Sequence, residues 1–248
     1  MTAQGRRDTQ QDAPRRKDDV KREQRSGVPV RRPGVQSGYD LWASSYDTTA
    51  NPTVYLDRLH TLRALDAQPG EKVLDAGCGT GAHVVALRRQ GVASVGVDFS
   101  RGMLGVAKQV DASVPLLVGD LHRPLPFADA VFDAVVCSLV SEHLEQLHVF
   151  FAEARRVLVS GGRFVFTAFH PELVGAGVEA NFTRDAVEYR LGAEPHGVDD
   201  FMREMQLAGF GGIQVENVVG DEALVEALPA AKKYLGKSCL VLLTAKAP

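Results

Sequence analysis

The chain contains the run Val73-Leu74-Asp75-Ala76-Gly77-Cys78-Gly79-Thr80-Gly81, in which an apolar strand passes into three closely spaced glycines. Glycine adopts positive φ without strain and has no Cβ, so a ligand can approach the backbone and the N–H groups that open the next helix. The pattern therefore predicts a binding turn for a nucleotide-like cofactor. The glycines alone leave the cofactor open, because Gly77, Gly79 and Ala82 also fit the dinucleotide pattern G-x-G-x-x-A.

Short apolar runs alternate with amphipathic segments on both sides of this turn. Strands are predicted at residues 73–74, 94–97, 114–118, 134–137, 164–168, 212–219 and 239–244. Helices are predicted near residues 39–48, 52–65, 103–110, 143–158, 198–208 and 221–235. Strands that alternate with helices form βαβ units with right-handed crossovers. We therefore expect an α/β fold, a Rossmann-like doubly wound sheet of seven mostly parallel strands with helices on both faces.

Three acids follow three successive predicted strands. Asp75, Asp98 and Asp120 are separated by 23 and 22 residues, which is one βα unit each. The carboxyl ends of the strands meet at one edge of such a sheet, where open α/β sheets bind ligands. A carboxylate at Asp75 would repel the pyrophosphate of a dinucleotide, whereas it suits a cationic ligand. The other two acids could hold a ribose and an adenine amino group, although any one of the three could instead be a turn or cap residue.

The composition is that of a globular protein, with 45% hydrophobic and 24% charged residues in 248. It excludes a collagen, a fully disordered chain and a disulfide miniprotein. No apolar run reaches the roughly 18 to 20 residues of a membrane helix, and the N-terminus lacks a secretory apolar region. Cys78, Cys137 and Cys239 have no metal-binding or disulfide spacing. We expect a soluble, cytoplasmic protein with free thiols.

The net charge of −3 is unevenly distributed along the chain. Residues 1–33 hold ten Lys/Arg and five Asp/Glu, which leaves 18 basic and 26 acidic residues in 34–248. The first segment has few large apolar side chains and no helical or strand period, so it is expected to be a disordered basic tail. A nucleic-acid arm and a transit peptide are alternatives, and the interspersed acids oppose transit. Residues 34–248 are expected to form one domain.

The glycine motif together with Asp98 and Asp120 resembles the class I S-adenosylmethionine-dependent methyltransferases, in particular the small-molecule branch that includes the ubiquinone and menaquinone enzymes. The motifs of the resemblance cover residues 39 to about 168. It implies S-adenosylmethionine as the cofactor and an antiparallel last strand in the sheet. The function it implies is methyl transfer to an oxygen, nitrogen or carbon atom of a small-molecule acceptor.

The resemblance also implies roles for individual residues around the cofactor. Its methionine part would lie over Gly77, Gly79 and Gly81, with its amino group near Asp75 and with Ser138 beside it. The adenosine part would be held by Asp98 at the ribose hydroxyls, by Phe99 and Met103 on the adenine faces, and by Asp120 and Leu121 at the adenine edge.

The segment 39–47 resembles the leading helix of this family, which lies as a lid over the cofactor. Tyr39, Trp42 and Tyr46 could close over the sulfonium, because a positive charge is attracted to aromatic faces. The alternative is that Trp42 and Tyr46, four residues apart, pack the helix onto the domain.

A base is needed only if the acceptor is a hydroxyl or a carbon acid. His143 and His170 follow the fourth and fifth strands and are the candidates, since an imidazole near its ordinary pKa is a competent base at neutral pH. Each could instead be a packing or loop residue. We expect the segment 169–197 to line much of the acceptor pocket, with Tyr189 and His196 as further pocket residues.

Glu142-His143 resembles the end of the Glu-x-x-Glu-His cluster that ligates a divalent metal in ubiquinone-type O-methyltransferases. The first acid of that cluster is replaced here by Leu139, which leaves a hard cation short of oxygen ligands. We therefore predict no metal.

Other functions fit the sequence less well. A nucleic-acid amine methyltransferase would be expected to show an Asn/Asp-Pro-Pro-aromatic run after the fourth strand, where this chain has Cys137-Ser138-Leu139-Val140. The acidic body also disfavours nucleic-acid binding. A nicotinamide-dependent oxidoreductase is opposed by Asp75. A protein methyltransferase and a non-catalytic cofactor-binding regulator remain as alternatives.

Overall fold

A computed structural model describes residues 27–248 of the chain. Its strands are β1 (Val30–Arg31), β2 (Lys72–Ala76), β3 (Ala93–Asp98), β4 (Leu116–Val118), β5 (Phe132–Ser138), β6 (Leu158–Phe169), β7 (Asn181–Arg184), β8 (Val187–Arg190), β9 (Gly211–Val219) and β10 (Ser238–Lys246). Its α-helices are α1 (Val35–Trp42), α2 (Pro52–Leu65), α3 (Ala82–Arg89), α4 (Arg101–Val110), α5 (Leu147–Val157), α6 (Pro171–Gly175), α7 (Val198–Leu207) and α8 (Glu222–Ala227). Turns of 3₁₀-helix lie at Ala43–Thr48, Ser141–His143 and Pro229–Tyr234.

Seven strands form the main sheet, in the order β4-β3-β2-β5-β6-β10-β9. Strands β4, β3, β2, β5 and β6 pair in parallel, whereas β10 pairs antiparallel with both β6 and β9. The expected doubly wound sheet and its antiparallel last strand are therefore confirmed. The order reverses between β2 and β5, so the carboxyl ends of β2, β3 and β5 border the crevice at a topological switch point.

The strands of the sheet centre place alternate side chains on its two faces. On one face Leu74, Phe164 and Phe166 pack into a core with side chains of helix α5. On the opposite face Val73 and Val165 belong to a second buried cluster with side chains of helices α2 and α3. Burial on both faces is typical of a parallel sheet covered by helices. This packing on both faces fixes the positions of the strand ends, and therefore the positions of the residues that follow each strand.

Local signals explain where the helices begin. Asn51 caps α2, because its side chain accepts hydrogen bonds from the backbone N–H groups of Thr53 and Val54, and Pro52 occupies the first turn. Ser100 caps α4 by accepting from the N–H of Met103 at 3.1 Å. The helix expected over 39–48 instead divides into α1 and a 3₁₀ segment from Ala43.

A small second sheet, in the order β1-β8-β7, lies outside the predicted elements. Strands β7 and β8 form a hairpin within the segment 169–197, and β1 pairs in parallel with β8 through Val30 and Arg31. Ordered structure therefore begins before the expected boundary after residue 33. The disorder expected for residues 1–26 lies outside the described residues and stays a prediction.

Among residues 27–248 no helix combines the length and the apolar character that a membrane span requires.

Candidate active site

A cavity of about 640 Å³, including the solvent at its mouth, opens at the carboxyl ends of β2, β3, β4 and β5. We call it the main cavity. Ten residues predicted to hold a cofactor line it: Tyr39, Tyr46, Gly77, Gly79, Asp98, Phe99, Met103, Asp120, Leu121 and Ser138. The predicted base His143 lines it as well. Two of the three strand-end acids, Asp98 and Asp120, thus meet as their spacing predicts.

The glycine turn forms the floor of the main cavity. Gly77 and Gly79 have φ values of 81° and 51°, in the left-handed region that other residues adopt only with strain. A Cβ on Gly77 would lie 2.4 Å from Cγ2 of Val140, so this turn packs directly against the loop after β5. The N–H groups of Gly77 and Cys78 both donate to the carbonyl of Val97, at 2.8 and 3.0 Å. The turn is therefore anchored to β3 through the backbone.

Asp98, at the end of β3, connects the glycine turn to the start of α4. Its Oδ2 accepts a hydrogen bond from the N–H of Gly79 at 2.9 Å, and its Oδ1 accepts from the N–H of Ser100 at 2.8 Å. The residue is only 8% exposed, and burial raises the pKa of its carboxyl despite these hydrogen bonds. Asp98 thus holds two walls of the main cavity in register.

Asp75 lies not in the main cavity but in a narrow side pocket next to it, which shares Tyr46, Gly77 and Gly79 with the main cavity. The residue is 1% exposed, and its Oδ2 has no hydrogen-bond partner in the part of the chain that the structure describes. Burial raises the pKa of the Asp75 carboxyl to about 7, against an opposing effect of His83. A buried carboxylate without a partner is costly, so this pocket suits a ligand that brings a positive charge.

We expect Asp75→Asn to stabilise the ligand-free protein at pH 8 by about 1 to 3 kcal/mol in unfolding free energy. The carboxyl titrates near 3.8 in the unfolded chain and at about 7 in the folded one. The folded state therefore holds the proton more tightly, and stability declines as the pH rises from about 4 through 7. The gain from Asn should be full at pH 8 and small at pH 4.5, as urea unfolding of both proteins would measure. A variant less stable than the parent at pH 8 would contradict the assignment.

Asp120 lines the main cavity at its rim, and its carboxylate is already engaged. Its Oδ1 accepts from the N–H of His122 at 3.0 Å and lies 2.9 Å from Nδ1 of the same histidine. His122 itself lines the cavity, as do Gly119, Leu139, Val140 and Leu144, none of which was predicted. All five follow β4 or β5 closely in sequence, next to residues that were predicted. Their position after a strand end was the signal from which they could have been predicted.

The lid is closed over the main cavity by a hydrogen bond between Tyr39 Oη and His143 Nε2, at 2.9 Å. The rings meet edge to face at 5.4 Å between centroids. Burial raises the pKa of the Tyr39 phenol and lowers the pKa of His143 to about 4. For His143, the expectation of an imidazole near its ordinary pKa is therefore wrong. Both groups are neutral at pH 7, and the pair fastens the lid without a net charge.

An acid that sequence reasoning missed docks the lid onto α4. Oδ1 of Asp40 accepts hydrogen bonds from Ser100 Oγ at 2.7 Å and from the N–H of Gly102 at 2.8 Å. A Cβ on Gly102 would lie 2.9 Å from Cα of Asp40, so the two backbones approach closely. The position of an acid next to Tyr39 in the leading helix was the available signal.

Besides Asp75, three other predicted site residues lie outside the main cavity. Gly81 caps α3 in the left-handed conformation, with φ 76°. Trp42 is 2% exposed and stacks on Phe182, with centroids 5.0 Å apart. His170 caps α6, where its Nδ1 accepts from the N–H of Glu172 at 3.3 Å. His170 is not one of the described residues that line the main cavity, the side pocket or the second cavity described below. In the structure it therefore acts as a helix cap.

A larger second cavity, of about 1360 Å³ including open solvent, adjoins the main cavity and shares Tyr39, Tyr46 and Leu139 with it. Its other walls come from the loop before α2, from residues 178–183 and from the segment around Pro229–Tyr234. Leu139, at the junction, has a positive φ of 54°. The expectation that 169–197 lines a pocket is met only in part, because the wall includes Phe169 and 178–183 but neither Tyr189 nor His196.

Comparison with known proteins agrees with this geometry. Residues 74–166 match the family model described as a methyltransferase domain. The demethylmenaquinone methyltransferase of Corynebacterium efficiens is 36% identical over 144 residues, which is 56% of this chain and 61% of the relative. That of Mycobacterium sp. (strain JLS) is 41% identical over 54% of this chain and 59% of the relative. The chain thus spans about three fifths of the length of these relatives.

Solved structures share the fold at low sequence identity. The S-adenosylmethionine-dependent methyltransferase of Thermotoga maritima, described as a possible histamine N-methyltransferase, is 20% identical with a TM-score of 0.65, over 86% of this chain and all of that one. The [4+2]-cyclase SpnF is also 20% identical, with a TM-score of 0.64 over 90% of this chain and 99% of that one. The fold alone therefore does not fix the chemistry. Residues 74–166 thus match a methyltransferase domain, and the chain shares its fold with S-adenosylmethionine-dependent methyltransferases.

Proposed function

We propose that this chain transfers a methyl group from S-adenosylmethionine to a small-molecule acceptor. The observation that carries the proposal is the arrangement of two buried acids around the glycine turn. Asp98 lines the main cavity, and Asp75, whose Oδ2 has no hydrogen-bond partner among the described residues, lies in the adjoining side pocket. A ligand with a ribose at one end and an ammonium group at the other fits this arrangement, and the sequence relatives support it.

The residues present fit the methionine end of this cofactor. Oδ2 of Asp75 and Oγ of Ser138 are both buried without a hydrogen-bond partner, and both residues line the side pocket. An amino acid's ammonium and carboxylate groups would supply partners of both kinds. The carboxylate of Asp75 opposes the nicotinamide alternative, because the pyrophosphate of a dinucleotide at the glycine turn would lie beside this negative charge.

S-adenosylmethionine supplies an electrophilic methyl group on a sulfonium, and its thioether leaves without needing an acid. The protein's task is then to hold the acceptor in line with the methyl group and to exclude water, which lowers the barrier through proximity. Tyr39 and Tyr46 stand at the wall shared by the main and second cavities, where the two ligands would meet. The Tyr39–His143 bond keeps this wall in place. With its lowered pKa, His143 acts here as a positioning residue for Tyr39.

The second cavity is the proposed acceptor site. The curated relatives named above are demethylmenaquinone methyltransferases, so demethylmenaquinone is the first acceptor to test. The cytoplasmic location and the absence of nucleic-acid binding stay predictions.

The proposal is tested by calorimetric titration of the purified chain with S-adenosylhomocysteine and, separately, with NAD⁺. We expect binding of the first and none of the second. Methylation assays with radiolabelled S-adenosylmethionine and demethylmenaquinone follow. A protein that does not bind S-adenosylhomocysteine would overturn the proposal, and tighter binding of NAD⁺ would favour the oxidoreductase alternative.

Tyr39→Phe is expected to slow methyl transfer about tenfold while cofactor affinity changes little. The substitution removes only the hydroxyl that bonds His143 and keeps the ring that stacks on Trp42 with centroids 5.9 Å apart. The check is kcat beside the dissociation constant of S-adenosylhomocysteine. Tyr55→Phe removes the same atom from a residue that lines neither the main nor the second cavity, and it should leave both quantities unchanged. An equal loss in both variants would refute the lid role.

A further inference from the structure

Glu142 is a buried acid that the proposed reaction has not yet used. It lies in the 3₁₀ turn Ser141–His143 after β5 and lines the second cavity. The residue is 5% exposed, and within residues 27–248 its Oε2 has no hydrogen-bond partner. Buried polar atoms are nearly always paired, because an unpaired one destabilises the folded state. A partner that arrives with a ligand explains why a polar group is kept here.

The aromatic side chains near Glu142 form a continuous stack. Trp42 stacks on both Tyr39 and Phe182, with centroid distances of 5.9 and 5.0 Å and interplanar angles of 15° in both pairs. Phe182 in turn stacks on Tyr189 at 4.9 Å and 9°. Trp42 and Phe182 therefore use ring faces to pack against other aromatic side chains.

The stacked rings favour a neutral aromatic ligand over an ammonium group as the partner of Glu142. A cage for an ammonium group presents open aromatic faces to the cation, whereas here Trp42 and Phe182 stack face to face on each other. The stack offers ring edges and an apolar wall, which suit the flat body of a neutral aromatic ligand. Burial raises the pKa of Glu142 to about 8, so at neutral pH the carboxyl is largely uncharged. An uncharged carboxyl pairs with a hydroxyl without burying any charge.

We propose that the acceptor is a neutral aromatic compound with a hydroxyl group, and that Glu142 binds this hydroxyl in the second cavity. The inference rests on the proposed function, since it takes the second cavity as the acceptor site. The position is favourable, because Glu142 precedes His143 in the chain and the two side chains line adjoining cavities. The hydroxyl would then be held next to the wall shared with the main cavity.

The test uses 1-naphthol and 1-methoxynaphthalene, which share one ring system and differ in the O–H group. Dissociation constants are measured by fluorescence titration with S-adenosylhomocysteine present. We expect the unmodified protein to bind 1-naphthol at least about tenfold more tightly. Equal affinities, or no binding of 1-naphthol, would overturn the proposal without the need for any variant. Tighter binding of 1-naphthylmethylamine would overturn it in favour of an amine.

Glu142→Leu is expected to abolish the preference for the hydroxyl probe, and Glu142→Gln to reduce it several-fold, since an amide still accepts a hydrogen bond. Glu145→Gln, on an exposed residue three positions away, serves as the matched control and should keep the preference. A preference that survives in Glu142→Leu would refute the role of Glu142. The affinity for S-adenosylhomocysteine should stay constant throughout. An unmodified protein that does not bind S-adenosylhomocysteine would refute the proposed function. The comparison of the two probes tests the role of Glu142 whether or not S-adenosylhomocysteine binds.

Discussion

Replacing Asp98 with asparagine should weaken the binding of S-adenosylmethionine by about 10- to 100-fold. Each carboxylate oxygen accepts a hydrogen bond from a backbone N–H, that of Gly79 or that of Ser100. The NH₂ group of asparagine must face one of these two donors in either orientation, so one wall of the main cavity is pushed away. The proposed bonds to the ribose hydroxyls are weakened by the same change. Turnover at fixed cofactor concentration should fall in parallel.

Calorimetric titration of the variant with S-adenosylhomocysteine measures this effect. Asp111→Asn is the matched control, because Asp111 is an acid at the end of α4 that lines none of the three cavities. It should bind as the parent does. An Asp98→Asn protein with unchanged affinity would show that Asp98 does not bind the cofactor.

Gly77→Ala is expected to lower the free energy of unfolding by about 2 to 4 kcal/mol. One part of the loss comes from φ 81°, where an alanine is strained. The other part comes from the new Cβ, which would lie 2.4 Å from Cγ2 of Val140. Most domains are stable by only about 5 to 15 kcal/mol, so the loss is a large share of the total. Cofactor binding should also fail, because the turn that forms the cavity floor must shift.

Chemical denaturation of two further proteins separates these causes. Gly105→Ala adds a Cβ in open space within α4, so it should be neutral or stabilising by up to about 1 kcal/mol. Combining Gly77→Ala with Val140→Ala removes the contact but not the backbone strain, and it should recover part of the loss. Gly77→Ala with parental stability would show that the turn relaxes freely. That result would contradict the rigid floor.

The location of the main cavity was predictable from residues 73–120, because the topology of a parallel sheet brings strand ends together. Asp98 and Asp120 needed only the spacing of one βα unit to be placed at one edge. The depth of a side chain was not predictable in this way. Asp75 ends its strand as Asp98 does, yet it lies in a separate pocket, since the path of the glycine turn decides on which side of the main cavity the carboxylate lies.

The sequence predicted the lid in outline, but the bounds of its helix and its contact with Phe182 were not predicted. The backbone tightens to 3₁₀ geometry from Ala43, yet the rings of Trp42 and Tyr46 still meet edge to face with centroids 4.9 Å apart. Trp42 also stacks on Phe182, a contact between residues 140 positions apart in the chain. Packing at such separation leaves no trace in a local period. The same holds for β1, whose pairing with β8 no pattern in residues 30–31 indicates.

His143 and His170 show a limit of another kind. Both follow strands at the same edge of the sheet, so their positions alone gave them similar prospects as bases. The structure separates them by their hydrogen bonds: Nδ1 of His170 is turned to the backbone of its own helix, whereas Nε2 of His143 faces Tyr39. The orientation of an imidazole depends on its immediate partners, which the sequence does not reveal.

The main and second cavities are built from different parts of the chain. Most of the main cavity comes from residues 77–144, whereas most of the second comes from residues 39–54, 169–183 and 228–234. The matched domain at 74–166 thus contains little of the wall of the second cavity. Under the proposed function, exchange of the outer segments between relatives would change the acceptor while the methyl donor stays the same. Such a chain could acquire new acceptors in evolution while the residues of its main cavity are kept.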